Sequence, residues 1–170
     1  QEIQIVAHNA PFDALVLARE DPTILPLIFE AFKQDAFLDT IQNEKLIDIE
    51  IGEYDSKNDC RWLRQHNKNL RCGYSLADRV MLHFQHDMNK KESPRLEYGS
   101  LRGVPLEEWT DAERDYAIDD ARWHLALAEH SGPHPNIGDQ SRAAFWLHLM
   151  STHGIARDGE AVEALAQLLE

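Results

Sequence analysis

The first dozen residues constrain this chain most. Ile3, Ile5 and Ala7 alternate with Gln4, Val6 and His8, the period of a short, largely buried strand. That strand meets Asn9, which can cap a helix, and Pro11 stands in the first helical turn, where a missing N–H costs nothing. A strand passing straight into a helix reads as the opening of an α/β sheet. Ligand sites of such sheets collect at the carboxyl edges of the strands. The helix runs through Leu15, Val16 and Leu17 and fades at Glu20-Asp21-Pro22.

The rest of the chain is punctuated by capping and breaking signals. Thr23 to Phe37 reads as helix with Pro26 in its first turn, and residues 38–59 as a strand followed by a short helix. Ser75 can cap a helix through Leu76, Val80, Met81 and Phe84, and Lys90 to Pro105 reads as a polar loop. Thr110-Asp111-Ala112-Glu113 is a capping box, which predicts a helix from Asp111 to about Glu129. Ser131-Gly132-Pro133-His134-Pro135-Asn136 breaks the chain and marks a boundary. A helix over Gln140–His153 follows, and another is expected from Asp158.

Composition bounds the function. The chain has 170 residues with 43% hydrophobic, enough for a core of ordinary size, and contains no run long and apolar enough for a membrane span. Its two cysteines, Cys60 and Cys72, cannot build a disulfide scaffold, which points to a reducing cytoplasm. The formal charge of -13 argues at first against a nucleic-acid partner. The charge is segregated, however. Residues 1–55 carry a net of -9, residues 56–102 a net of +5, and residues 103–170 again -9. In the middle block Lys57, Arg61, Arg64, Lys68 and Arg71 are interleaved with Trp62, His66 and Tyr74. Cations for phosphates beside rings for stacking suit a single-stranded nucleic acid, and a solvated helix face accounts for them equally well.

Two segments carry candidate chemistry. In His8-Asn9-Ala10-Pro11-Phe12-Asp13, Asp13 stands in the first helical turn at a strand's carboxyl edge; ordinary capping and a favourable helix dipole explain the same residues. In Tyr116-Ala117-Ile118-Asp119-Asp120, Tyr116 and Asp120 are four residues apart and share a helix face continued by His124 or Trp123. Asp119 points about 100° away, so one of the two acids serves that face. Ala117, Ala121, Leu125 and Ala128 form an adjacent apolar face expected to lie on the sheet. A carboxylate beside a phenol suits a hard divalent ion whose bound water the hydroxyl steadies; the alternative is a half-buried Tyr among solvated acids. No Gly-x-Ser-x-Gly elbow, Gly-rich phosphate loop or Cys-x-x-Cys pair is present.

Together these segments resemble a known family. His8 to Asp13 looks like the second motif, and Tyr116 to Asp120 like the third, of the tyrosine subtype of DEDD-superfamily 3′–5′ exonucleases. Tyr74-Ser75-Leu76-Ala77-Asp78-Arg79 fits between them. The run from Leu96 to Trp109 is similar to the segment before the third motif in the proofreading domains of phage-type family A DNA polymerases. Phe145 to Met150 and Gly154 to Asp158 resemble the first helices that follow such a domain.

The resemblance implies an α/β, ribonuclease H-like fold, a mixed sheet flanked by helices, here without its first strands. Residues 1–130 would be the exonuclease domain, 131–139 a linker, and 140–170 the start of a helical polymerase region. It implies hydrolysis of the 3′-terminal phosphodiester of single-stranded DNA with two divalent ions, Mg²⁺ or Mn²⁺. Asp13 and Asp120 would hold metal, Tyr116 would hold the water, and His8, Asn9 and Phe12 would support the site. Arg61, Arg64, Lys68, Arg71 and Lys90 are the candidates for the nucleic-acid backbone. The family's first motif, Asp-x-Glu, is missing upstream of His8. The one Asp-x-Glu, Asp48-Ile49-Glu50, lies downstream and reads as a decoy, so this stretch alone is expected to be inactive. The competing expectations are a ribonuclease D-like RNA-trimming enzyme and a catalytically dead remnant that binds nucleic acid or a partner.

Overall fold

A computed structural model describes residues 4–52, 73–88 and 99–154. Strand β1 (Ile5–Ala7) leads into helix α1 (Ala10–Glu20), a 3₁₀ turn (Pro22–Ile24) and helix α2 (Leu25–Lys33). Strand β2 (Phe37–Asp39) then runs directly into helix α3 (Thr40–Glu50). After the next described stretch begins, helix α4 spans Leu76–Phe84; a 3₁₀ turn at Leu106–Glu108 precedes α5 (Asp111–Ser131) and α6 (Ile137–His153). The chain is therefore a mostly helical α/β protein. Among the described residues no helix is long and apolar enough to cross a membrane.

The two strands pair in parallel, with Ile5 opposite Phe37, Val6 opposite Leu38 and Ala7 opposite Asp39. A parallel pair needs a crossover, and α1 and α2 supply it. Their small and aromatic residues fill one side of the sheet. Ala10 and Ala14 of α1 let the helix approach closely, and Ile28 and Phe32 of α2 complete a cluster with Ala7, Phe37 and Phe145. The Phe32 ring lies between two others, 4.2 Å from Phe37 and 4.1 Å from Phe145, centroid to centroid. On the other side Leu38 meets Ala128 and Ile137, and Leu127 closes a third cluster with Leu76 and Val80 of α4.

Three sequence expectations are corrected. The helix expected over Thr23–Phe37 ends at Lys33. Asp35 takes a left-handed conformation (φ 56°) and the Ala36 N–H returns to the Ala31 carbonyl, which stops the helix and releases Phe37 into β2. The helix after β2, expected to be short, has 11 residues, and Asp39 starts it by accepting from Ile41 N and Gln42 N. The stripe expected to face the sheet, Ala117, Ala121 and Leu125, is exposed, and of that set Ala128 alone is buried. The inward face of α5 instead descends from Tyr116 and Asp120 through His124 to Leu127. The helix is turned so that fully buried Leu127 meets Val80, and this brings the polar ladder inward.

Helix α6 lies against α1, α2, α3 and β2, and its Phe145 is fully buried among the aromatic rings of α2 and β2. It begins at Ile137, inside the segment read as a linker, and Asn43 ties the connection down by donating to Gly132 O and accepting from His134 N, both at 2.8 Å. The helix expected from Asp158 lies outside the described residues.

A candidate carboxylate-lined cleft

The carboxyl ends of both strands open on one side of the sheet, and the residues that follow them build a cleft. His8 and Asn9 come from the turn between β1 and α1, Phe12 and Asp13 from α1, Ile41 from α3, Ser75 and Leu76 from the start of α4, and Tyr116, Asp120 and His124 from α5. The cleft holds about 560 Å³, enough for a small-molecule group. The two candidate segments, far apart in sequence, thus line the same space. Asp119 does not: it is exposed and pairs with Arg122 at 3.2 Å.

Each wall has a local cause. Asn9 occupies the N-cap position of α1 in a left-handed conformation (φ 83°, ψ 53°), which Asn tolerates better than most residues. Its side chain makes no capping bond, contrary to the sequence expectation. The cap comes from Asp39, whose Oδ1 accepts from Asn9 N at 3.2 Å and whose Oδ2 accepts from Ala10 N at 3.1 Å. The His8 imidazole spans the base of the cleft. Its Nε2 donates to the Tyr74 carbonyl at 2.7 Å, its Nδ1 lies 2.7 Å from Thr40 Oγ1, and its ring stacks on His124 at 6.0 Å. Ser75 caps α4 in a capping box with Asp78. Helices α1, α3 and α4 therefore all begin at the rim, and their dipoles favour an anionic group there.

The acids themselves are crowded. Asp13 is held above the ordinary carboxylate value, first by burial and then by the neighbouring charge of Asp39. Asp39 is fully buried; burial pushes its proton affinity up, against four backbone N–H groups that favour the charged form. Asp120 keeps its Oδ1 buried against the wall. Phe12 stands at the mouth, about half exposed.

Hard oxygen donors of this kind match a divalent ion such as Mg²⁺ or Mn²⁺. Their number is small: among the described residues no group of three or more His, Cys, Asp or Glu side chains comes together as a metal cage. Asp13 and Asp120 are the two carboxylates that line the cleft.

Other candidates fall elsewhere. Asp48 of the downstream Asp-x-Glu is buried, accepts from the Tyr74 hydroxyl at 2.6 Å and pairs with Arg79; Glu50 points outward to His134 at 3.3 Å. This triplet is a structural anchor. Arg61, Arg64, Lys68, Arg71 and Lys90, with Cys60 and Cys72, lie outside the described residues. Asp39 is the residue that the sequence reading missed. Its caps on α1 come from partners about 30 positions away, and the one local signal is Asp-Thr at the end of an apolar run.

Fold and cleft define a mostly helical α/β domain with acids gathered at the carboxyl ends of parallel strands. Comparison of the chain with protein-family models, curated proteins and solved structures finds no match.

Proposed function

We propose that the cleft is the 3′-end site of a metal-dependent 3′–5′ exonuclease, of the proofreading type and acting on single-stranded DNA, within a ribonuclease H-like fold. One observation carries the reading. Asp13 of the second motif and Tyr116 with Asp120 of the third line a single cleft, Asp13 from α1 and the other two from α5. The reading also proposes that residues 1–130 are the exonuclease domain and that residues 140–170 begin a helical polymerase region in the same chain.

In this reaction water adds to the terminal phosphorus, the 3′ oxygen of the preceding nucleotide leaves, and a nucleoside 5′-monophosphate is released. Asp120 and Asp13 would each hold a divalent ion, which when bound stabilises the charge on the attacking and leaving oxygens. Tyr116, one turn before Asp120, orients the water through its hydroxyl. The helix starts at the rim favour the phosphate, and the half-exposed Phe12 ring offers a face to the terminal base. With two carboxylates in the described cleft, hydrolysis is expected once further acids complete it.

The test uses a 3′-labelled DNA oligonucleotide, an RNA oligonucleotide of the same sequence, and the full-length protein. Mg²⁺-dependent release of mononucleotides from DNA, abolished by Asp120→Asn and reduced at least tenfold by Tyr116→Phe, is the expected result. Preferential cleavage of RNA would replace the DNA reading with a ribonuclease D-like one. Binding of the strand without cleavage, unchanged in Asp13→Ala and Asp120→Ala, would leave a non-catalytic remnant.

A further inference from the structure

Asp39 is fully buried at the end of β2, and it faces the backbone rather than a cation. Its Oδ1 accepts from Asn9 N (3.2 Å), Ile41 N (3.0 Å) and Gln42 N (3.4 Å), and its Oδ2 from Ala10 N (3.1 Å). One carboxylate therefore serves the first turns of two helices, α1 and α3, which begin at the ends of neighbouring strands. Helix starts carry N–H groups that lack an intrahelical acceptor, and an N-cap is ordinarily local to its own helix. Helix α1 has no local side-chain cap. The turn at Asn9, strained by its positive φ, is held from across the sheet.

The next residue tightens the same knot. Thr40 Oγ1 donates to Ala7 O at 3.2 Å and lies 2.7 Å from His8 Nδ1. Asp39 and Thr40 together thus grip Ala7, His8, Asn9 and Ala10, the segment that delivers Phe12 and Asp13 to the cleft.

We propose that Asp39 is a positioning residue of the cleft: by capping α1 and α3 with one carboxylate, it fixes where Asp13 stands relative to Asp120 and so sets divalent-ion affinity. The inference rests on the metal site proposed above. Asn in its place keeps the size but brings an amide NH₂ against backbone N–H groups. Glu keeps the charge but places the oxygens one methylene further out, where they cannot meet both helix starts without displacing one.

Mn²⁺ is the probe, titrated into the full chain while the free ion is followed by electron paramagnetic resonance. Asp120→Asn should weaken binding at least tenfold; if it binds Mn²⁺ as the unchanged chain does, the metal site itself falls and Asp39 has nothing to position. With Asp120 established as a ligand, Asp39→Asn and Asp39→Glu should each weaken binding about tenfold, the scale seen for residues that orient metal ligands. Both should also move the amide proton signals of Asn9 and Ala10. Wild-type affinity in Asp39→Glu would mean that charge alone matters, and would overturn the inference. Should either variant fail to fold, the unchanged chain still decides. On Mg²⁺ titration the amide of Gln42, which is bonded to Asp39, should shift with the same midpoint as that of Asp13. A stationary Gln42 signal refutes the coupling.

Discussion

Replacing Arg79 tests how the cleft's outer wall is held. Arg79 of α4 is fully buried. Its Nη2 pairs with Asp48, its Nη1 lies 3.5 Å from Glu44 Oε2, and its guanidinium sits 3.9 Å above the Tyr74 ring centroid. Glu44 in turn bonds His83 Nε2 at 2.7 Å and accepts from the Ser131 hydroxyl, so the cluster joins α3, α4 and α5. Arg79→Met keeps most of the stem volume and removes the charge, leaving two buried carboxylates without their shared cation. Removing one partner of such a pair costs about 3–5 kcal/mol. Against a total stability of about 5–15 kcal/mol that is a large share, and for a chain of this size it lowers Tm by about 6–20 °C. The stranded acids can recover part of the loss by binding protons, so the variant's deficit should be greatest at pH 7 and smaller at pH 5. Urea unfolding followed by circular dichroism at both pH values measures this. A deficit below about 1 kcal/mol at pH 7, or an equal deficit at pH 5, would refute the account of a charge-coupled anchor. The double variant Arg79→Met/Asp48→Leu should recover part of the loss; strict additivity of the two single changes would refute the pairing.

Phe145→Ala should cost about 3–5 kcal/mol in the same unfolding experiment, because its ring is fully buried against Phe32; a loss under about 1 kcal/mol would separate α6 from the core of α1 and α2. Asp13→Asn should raise Tm at pH 7, because the folded state holds this carboxyl above its ordinary 3.8 and so loses stability as pH rises through that shifted value. The gain should vanish below pH 3.8, and a gain that persists in acid would contradict it. Glu44 has the opposite sign. Burial raises its proton affinity, but the bonds from His83 and Ser131 outweigh that and hold it below 4.5, so its stabilisation is complete above 4.5 and is lost as pH falls through the shifted value. Glu44→Gln should therefore flatten the acid limb of the stability curve. Thr110→Ala, which removes one half of the capping box on α5, should cost about 1 kcal/mol.

What could be read from the sequence followed the range of each interaction. The Ser75 cap and the box of Thr110 with Glu113 are local, and both appear where the pattern puts them; Asp78 completes a box at Ser75 as well. The position of the β1 to α1 junction is legible in the alternation and in Pro11, but its cap is not local: Asn9 makes no side-chain cap and Asp39 supplies it. The end of α2 was overrun because its stop is a conformation, the left-handed Asp35, in a stretch whose residue types still suit a helix. The rotation of α5 was misjudged for a different reason. The stripe of Ala117, Ala121 and Leu125 looks apolar in isolation, but contacts beyond the helix decide the rotation: Leu127 and Trp123 pack with Leu76 and Val80 of α4.

The cleft shows both limits at once. The spacing of Tyr116 and Asp120 was enough to put them on one face, but whether that face met Asp13 depended on how α5 is turned, which Leu127 and Val80 settle from outside the site. Asp39 marks the deeper limit. Its four donors lie in two helices, and two of them are about 30 positions away, so no window of the sequence contains the knot. Net charge is a poor guide to a nucleic-acid partner for the same reason. The net of -13 sums carboxylates that do different work. Asp39 accepts from four backbone N–H groups at two helix starts, Glu44 and Asp48 share Arg79, and Asp13 with Asp120 lines the cleft. An acid already balanced by an internal partner adds little repulsion toward an incoming phosphate. The test of a nucleic-acid reading is therefore the local potential of this cleft with the proposed ions bound, and the overall charge does not decide it.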